Sequence, residues 1–224
     1  MKRNIVTFMA WVLVMASACA QEVKLDSTGE DPAYVHTIVA RSQKIVDKLD
    51  LKDSKKVANV LNIVANRYFL LNKIHTTCNN KLKYAKDSLK GNDKAQYMLQ
   101  AQNERDAALY KHHFEFAANL ANYLTDGQIE AIKDGMTYGV VKVTYDAQLD
   151  MIPTLKPDEK LQILNWLKEA REFAMDAGDS KSKHAWFGKY KGRINNWLAG
   201  RGYDLTKERE AWYKRIEAKK QKKQ

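Results

Sequence analysis

Apolar residues recur at helical spacing along most of this chain, and the pattern predicts an all-α protein. From about residue 31 onward, apolar positions repeat every three or four residues, as they do along a helix with one buried face. Several of these runs begin with residues that favour helix N-termini, namely Asp31-Pro32, Asp53-Ser54, Thr125 with Gln128, and Pro157. We therefore expect one antiparallel helical bundle of six or seven helices over residues 31–218.

Some boundaries and faces within this bundle depend on weaker patterns. Gly91-Asn92-Asp93 predicts a turn between the second and third helices, and Thr206 is expected to cap the last helix. The helix that starts at Pro157 is expected to bury one stripe of side chains, namely Leu161, Leu164, Leu167, Ala170, Phe173 and Ala174. Residues 138–145 are rich in β-branched and aromatic side chains that favour extended structure. That segment stays open between a strand-like and a helical conformation.

The first twenty residues are typical of a signal peptide. A charged start precedes an apolar stretch that is too short to span a bilayer, and Ala18-Cys19-Ala20 predicts cleavage between Ala20 and Gln21. The alternative is a lipoprotein signal with Cys19 acylated, and membrane attachment is expected only in that case. Both interpretations place the protein in the periplasm or on the outer surface of a Gram-negative bacterium. Residues 21–30 are polar and predict a loose linker.

The positive charge of the chain is concentrated at its C-terminal end. The formal net charge is +11, and residues 181–224 hold 14 Lys or Arg against four Asp or Glu. Such an excess attracts anions, and in an extracytoplasmic compartment we expect an acidic polysaccharide or oligosaccharide rather than a nucleic acid. Residues 219–224 alone form a basic tail of the kind that is usually solvated.

The most suggestive stretch is His184 to Asp204, HAWFGKYKGRINNWLAGRGYD. As a helix it would align aromatic and basic side chains along one stripe, and such side chains stack on sugar rings and bind hydroxyls and carboxylates. The predicted ligand-binding residues are His184, Lys189, Tyr190, Lys191, Arg193, Asn196 and Trp197. Trp186 and Ile194 are instead expected in the core. Gly188 and Gly192 weaken a helix, so close helix packing or a binding surface should compensate for them.

No sequence motif identifies a reaction, a cofactor or a metal site. The chain lacks the nucleophile-elbow, phosphate-loop, dinucleotide-binding and metalloprotease patterns. His75 and Cys78 are only two potential ligands, and His113 on an apolar face predicts a hydrogen-bonded core histidine. A lyase remains open, because Tyr or His beside Arg or Lys could remove the proton next to a uronate carboxylate. A hydrolase that uses a pair of carboxylates also remains open.

Four stretches of the chain resemble an uncharacterised family of secreted bacterial proteins. They are MTYGVVKVTYDA (Met136–Ala147), EAREFAMDAG (Glu169–Gly178), KYKGRINNWL (Lys189–Leu198) and GYD (Gly202–Asp204). Members of that family are often encoded near genes for degrading plant polysaccharides, so the resemblance implies an extracytoplasmic role in glycan use. It implies no reaction and no catalytic residues.

A shorter resemblance points to a different class of protein. Leu124-Thr-Asp-Gly-Gln128 is similar to the L-T-x-x-Q motif of small helical periplasmic stress chaperones. Taken together, the residues and resemblances lead us to expect a secreted helical binding or accessory protein for acidic plant-type polysaccharide. The alternatives are a polysaccharide lyase or hydrolase on the same substrates, and a periplasmic chaperone-like protein.

Overall fold

The computed structural model describes residues 22–221, which form eight α-helices and one short 3-10 helix, Asp47–Leu49. The α-helices are α1 (Pro32–Val46), α2 (Ser54–Ser88), α3 (Gly91–Ala121), α4 (Asp126–Met136), α5 (Val140–Met151), α6 (Pro157–Met175), α7 (Ser180–Gly200) and α8 (Leu205–Gln221). The predicted all-α fold is confirmed, with eight helices instead of six or seven. The predicted signal peptide, with Cys19, Ala20 and Gln21, lies outside the described residues, as does the end of the basic tail.

A long helical hairpin is the largest element of the fold. Helix α2 runs for 35 residues and α3 for 31, and only Leu89 and Lys90 separate them. The turn predicted at Gly91-Asn92-Asp93 is wrong, because α3 already begins at Gly91. The left-handed φ of +53° at this glycine completes the chain reversal, so the two residues after it are already helical.

Two clusters of buried apolar side chains share helix α6. The first lies among α1, α2, α3 and α4, and α6 contributes Met175 to it. The second lies among α5, α6 and α7, and α6 contributes Leu167, Ala170 and Ala174. Helix α6 therefore joins the two halves of the core. None of the described helices combines the length and the apolar character that crossing a bilayer requires.

The buried face of α6 matches the predicted stripe only in part, since Leu167, Ala170 and Ala174 are buried as expected. Leu161 is 58% exposed and Phe173 is 45% exposed, whereas Ile163 is fully buried. The helix is rotated because Arg171 also points inward, where it forms ion pairs with carboxylates of α4. An apolar count along the sequence could not detect an inward-facing arginine.

The segment that favoured extended structure is helical from Val140 onward. Tyr138 and Gly139 take left-handed conformations, with φ of 61° and 67°, and these redirect the chain from α4 into α5. Val141 is buried in the second apolar cluster. The described residues contain no strand with which this segment could pair. Tertiary packing thus outweighs the local β-preference.

The segment expected to be a loose linker lies along α2 instead. The N–H of Val23 donates to Asn59 Oδ1 at 2.8 Å, and the carbonyl of Val23 accepts from Asn62 Nδ2 at 2.8 Å. One turn further on, Asn66 Oδ1 accepts from the N–H of Asp26 at 2.8 Å. Asparagine side chains of α2 therefore form the backbone hydrogen bonds that a neighbouring strand would form in a sheet.

The helix caps are mostly where the sequence places them. Asp31 caps α1, and Thr125 with Gln128 forms the predicted capping box of α4. The predicted cap at Thr206 is wrong by two residues. Asp204 Oδ1 accepts from the N–H of Thr206 and of Lys207, at 3.2 and 3.1 Å, because α8 already begins at Leu205.

Substitution of Gly135 tests the close contact between α1 and α4. A Cβ atom at Gly135 would lie 2.6 Å from Ile45 Cγ2, and the β-branched isoleucine has little freedom to move away. Gly135→Ala should lower the free energy of unfolding by about 1–3 kcal/mol, measured by urea denaturation.

Gly188→Ala in α7 is the matched control, because no atom outside its helix surroundings lies within 4 Å of the position. It should raise the free energy of unfolding by up to about 1 kcal/mol, as alanine favours helix. Equal effects of the two substitutions would contradict the close packing of α4 on α1.

Candidate ligand-binding groove

A groove of about 940 Å³ lies between the α2–α3 hairpin and the junction of α6 and α7. The hairpin lines it with residues between Asn72 and Asn79 of α2 and between Arg105 and Phe114 of α3. The other wall runs from Glu172 of α6 to Trp186 of α7. This size falls in the range of pockets that bind small ligands.

Aromatic side chains stand around this groove and are only partly covered. Tyr110 and Phe114 of α3 are 73% and 66% exposed, and their rings meet edge to face with centroids 6.0 Å apart. Phe173 and Trp186 are stacked, with centroids 4.6 Å apart and planes 17° from parallel. Exposed aromatic surface on two walls of one groove is typical of a binding site, because it is unfavourable in water alone.

A buried carboxylate forms the floor of the groove. Asp176, directly after α6, forms an ion pair with Arg67 of α2, and its Oδ2 accepts from His113 Nδ1 of α3 at 2.7 Å. His75 Nε2 donates to the backbone carbonyl of Asp176 at 2.7 Å. Burial alone would raise the pKa of Asp176, but the hydrogen bond from His113 and the charge of Arg67 hold it below its ordinary value. The ionised carboxylate therefore binds α6 to both helices of the hairpin.

This arrangement also orients the imidazole of His113. Because the ionised Asp176 can only accept a hydrogen bond, Nδ1 of His113 carries the hydrogen, and in the neutral ring Nε2 is an acceptor. Nε2 lies 3.9 Å from Glu172 Oε2, beyond hydrogen-bond distance. The glutamate is held in turn by Lys133 Nζ at 3.0 Å and by Arg171 Nη2 at 3.1 Å. With His113 in its neutral form, two fixed hydrogen-bond acceptors thus lie side by side in the groove.

The turn between α6 and α7 packs closely against the hairpin. A Cβ atom at Gly178 would lie 2.8 Å from the His75 ring, so only glycine permits this approach. Lys183 is buried and donates to the carbonyls of Ala174 and Met175, both at 3.1 Å. Burial lowers the pKa of Lys183 to about 8. The lysine satisfies the last carbonyl groups of α6 and thereby stabilises the wall of the groove.

The predicted ligand-binding residues of α7 are spread over different faces of the helix. His184 is exposed and stacks on Tyr138, with ring centroids 5.6 Å apart. Lys191 and Asn196 are exposed, and Lys189 is exposed with its Nζ 5.0 Å from the centre of the Trp186 ring. Lys189 therefore lies beside the groove, because it contacts Trp186, which lines the groove.

Three further predicted residues contact helix α6. Arg193 pairs with Glu169 at 3.4 Å and lies 4.5 Å from the centre of the Trp166 ring, and half-buried Trp197 meets that ring edge on. Tyr190 is buried in the second apolar cluster. Burial and the neighbouring Glu169 raise the pKa of Tyr190 to about 12, so the phenol keeps its proton at neutral pH.

The expected roles of three other α7 residues can also be compared with the structure. Ile194 is fully buried, as predicted, whereas Trp186 is only partly buried: it packs against the second apolar cluster and also lines the groove. Of the two alternatives for Gly188 and Gly192, close helix packing is not found, because no atom beyond the local helix lies within 4 Å of a Cβ at either position. These glycines leave the exposed side of α7 uncovered.

The groove was not predicted from the sequence. The hydrogen bond predicted for His113 is confirmed, because its Nδ1 donates to Asp176. The same side chain also lines the groove, which the sequence did not indicate. Asp176 and Phe173 lie within the Glu169–Gly178 stretch that carries the family resemblance, and this was the available indication. Tyr110 and Phe114 occupy the outward face of a predicted helix, where two aromatic residues one turn apart are unusual.

Metal binding has no arrangement to support it within the described part of the chain. No three His, Cys, Asp or Glu side chains of residues 22–221 are grouped so as to hold a metal ion. His75 is bound to the backbone at Asp176, and Cys78 is a buried free thiol.

The fold and the groove together define an all-α, single-domain protein with a ligand-sized site between a long helical hairpin and the body. Residues 35–218 match the family described as "Protein of unknown function (DUF3826)", and the chain belongs to this family. No curated protein matches the chain. The family match thus covers most of the chain, and the description of the family assigns no activity.

Replacement of Asp176 tests the floor of the groove. Asp176→Asn keeps the shape of the side chain but leaves buried Arg67 without a counter-charge, so the free energy of unfolding should fall by about 3–5 kcal/mol at pH 7. Because the folded-state pKa lies below the ordinary 3.8, this stabilisation is present above that pH and is lost as pH falls further. The difference between wild type and variant should therefore narrow in acid.

Asp106→Asn is the control, since Asp106 pairs with Arg105 at an exposed position of the same groove. It should change the free energy of unfolding by less than about 1 kcal/mol. A similarly small loss for Asp176→Asn would contradict the role of this carboxylate in joining α6 to the hairpin.

Proposed function

We propose that this protein binds saccharides in the groove, as an extracytoplasmic binding or accessory protein. The observation that carries the proposal is the combination of partly exposed aromatic rings with fixed hydrogen-bonding groups in one groove. Tyr110, Phe114, Phe173 and Trp186 offer faces and edges to sugar rings, and His113 with Glu172 offers acceptors to hydroxyls. Sugar rings have an apolar face and a polar rim, so both kinds of surface are needed at once.

The charges of the groove favour a hydroxyl-rich ligand over other classes. Asp176 is paired with Arg67, Asp106 with Arg105, and Glu172 with Lys133. A purely apolar ligand would leave these groups without solvent, which costs free energy. A nucleic acid would need several cations that the protein has not already paired.

The exposed side of α7 supports an acidic polysaccharide beyond the groove. Helix α7 begins at the groove, where Ser182 and Trp186 line the wall, and Lys189 stands over Trp186 one turn later. Lys189 forms no ion pair with any described residue, so it is free to attract an anion. A polymer that leaves the groove over Trp186 would meet Lys189 first and then the further exposed residues of α7.

An enzyme acting on the same ligands is a second candidate, favoured by the orientation of His113. A histidine that lines a groove and whose Nδ1 is held by a carboxylate has the arrangement of a positioned base. The chaperone alternative has no comparable observation, because Thr125 and Gln128 of its motif are engaged in capping α4.

Removal of an exposed aromatic ring tests the binding proposal. Phe114→Ala should weaken binding of a saccharide that the wild-type protein retains by roughly tenfold, because the ring loses apolar contact with the sugar. Since Phe114 is 66% exposed, its loss should leave the unfolding transition unchanged. Isothermal titration of the purified protein against neutral and acidic plant oligosaccharides provides the measurement.

Tyr84→Ala is the matched control, because Tyr84 is a 52% exposed aromatic residue of the same hairpin that does not line the groove. Its binding constants should equal those of the wild type. Equal losses in both variants, or no saccharide bound by the wild type, would refute the proposal.

For acidic ligands, Lys189→Gln should reduce the dependence of binding on salt concentration.

Turnover tests the second candidate on the same ligands. The purified protein is incubated with each polysaccharide, and new reducing ends and the ultraviolet absorbance of unsaturated ends are followed. His113→Asn retains a donor for Asp176 but removes the base at Nε2, so it should abolish product formation while the protein stays folded. Absence of product in the wild type would leave a binding protein only.

A further inference from the structure

We infer that His113 and Glu172 form a subsite for two neighbouring hydroxyl groups of an uncharged sugar ring. The inference rests on the proposed saccharide-binding function and specifies the class of sugar that enters the groove.

The geometry of the two acceptors supports a pair of hydroxyl donors. His113 Nε2 and Glu172 Oε2 are 3.9 Å apart, and no hydrogen bond joins them. Hydroxyl donors approach such acceptors to about 2.7–2.8 Å. Hydroxyls on adjacent ring carbons are close enough for each to donate to one of these acceptors.

Both acceptors are fixed before a ligand arrives. Asp176 holds Nδ1 of His113 at 2.7 Å, and Lys133 and Arg171 hold the carboxylate of Glu172 at 3.0 and 3.1 Å. A ligand therefore does not have to order these side chains, which favours binding by reducing its entropic cost.

Aromatic rings lie beside the acceptor pair, as a sugar-binding subsite requires. Phe114 follows His113 in α3, and their rings meet edge to face with centroids 5.0 Å apart. Phe173 follows Glu172 in α6 and stacks on Trp186. A sugar ring at the acceptor pair can thus contact aromatic surface on either wall of the groove.

The same groups disfavour a carboxylate at this position. A uronate bound here would place its negative charge beside Glu172 and beside the lone pair that Nε2 carries in neutral His113, and neither of these groups donates a hydrogen bond. Like charges at such separations repel, and the carboxylate would lose its hydration without compensation. Acidic residues of a polymer are therefore expected outside this subsite, towards Lys189.

The experiment compares neutral and acidic probes against one pair of histidine variants. Gluco-, galacto-, xylo- and arabino-oligosaccharides serve as neutral probes, and oligogalacturonates serve as acidic probes, each titrated into the purified protein at neutral pH and at two salt concentrations. His113→Asn should weaken the best neutral probe by roughly tenfold, because one hydroxyl loses its acceptor. The affinity for that probe should not depend on salt.

His112→Ala is the matched control at the adjacent position. His112 binds Glu115 on the outer side of α3 and does not line the groove, and the contact of Arg67 is to its backbone carbonyl only. Its affinities should equal those of the wild type. An analogue of the best probe with both adjacent hydroxyls methylated should bind the wild type more weakly than the parent binds His113→Asn, because both hydroxyls then lose the hydrogen that they donate.

Each remaining outcome overturns the inference in a distinguishable way. If neutral probes bind and Phe114→Ala weakens them while His113→Asn does not, saccharide binding stands and the hydroxyl subsite is refuted. If oligogalacturonates bind more tightly and depend on His113, the selection of an uncharged ring is refuted. If no saccharide binds, the proposed function fails together with this inference.

Discussion

The pairing of Asp176 with Arg67 is the interaction on which both the fold and the groove depend. Arg67 is buried within the hairpin, so it requires a counter-charge that water cannot replace. The carboxylate that supplies this charge comes from the residue directly after α6. The same carboxylate orients His113, so the residue that joins α6 to the hairpin also prepares the surface of the groove.

Helix α6 can serve this purpose because its faces differ in chemistry. Its apolar face packs on α5 and α7, whereas Arg171, only 2% exposed, binds Glu130 and Asp134 of α4. Phe173 and Glu172 lie at the edges of these two interfaces, where Phe173 stacks on Trp186 of α7 and Glu172 accepts from Lys133 of α4, and both residues line the groove. The two buried interfaces therefore set the rotation of α6, and that rotation determines which of its residues line the groove.

Local signals in the sequence were sufficient for the helices, but the groove depends on contacts between distant residues. Asp31 and Thr125 cap their helices as predicted, because a cap involves residues only three positions apart. Asp176 meets His113 across 63 positions, and no periodicity indicates which helix faces will meet. Trp186 and Tyr190 illustrate this limit of sequence periodicity. They are one turn apart on α7, and packing on α6 buries the tyrosine while it leaves the tryptophan at the groove.

The net charge of the C-terminal region overstates its attraction for anions. Arg193 is paired with Glu169, and Arg201 is paired with Asp158 and with Glu159, a buried carboxylate. These arginines also lie over tryptophan rings, so their positions serve the packing of α7 on α6. Exposed lysines such as Lys189 carry the charge that a ligand would meet. A basic flank beside a groove whose charges are internally paired is compatible with the proposed ligand, a polymer with a neutral ring in the groove and acidic groups outside it.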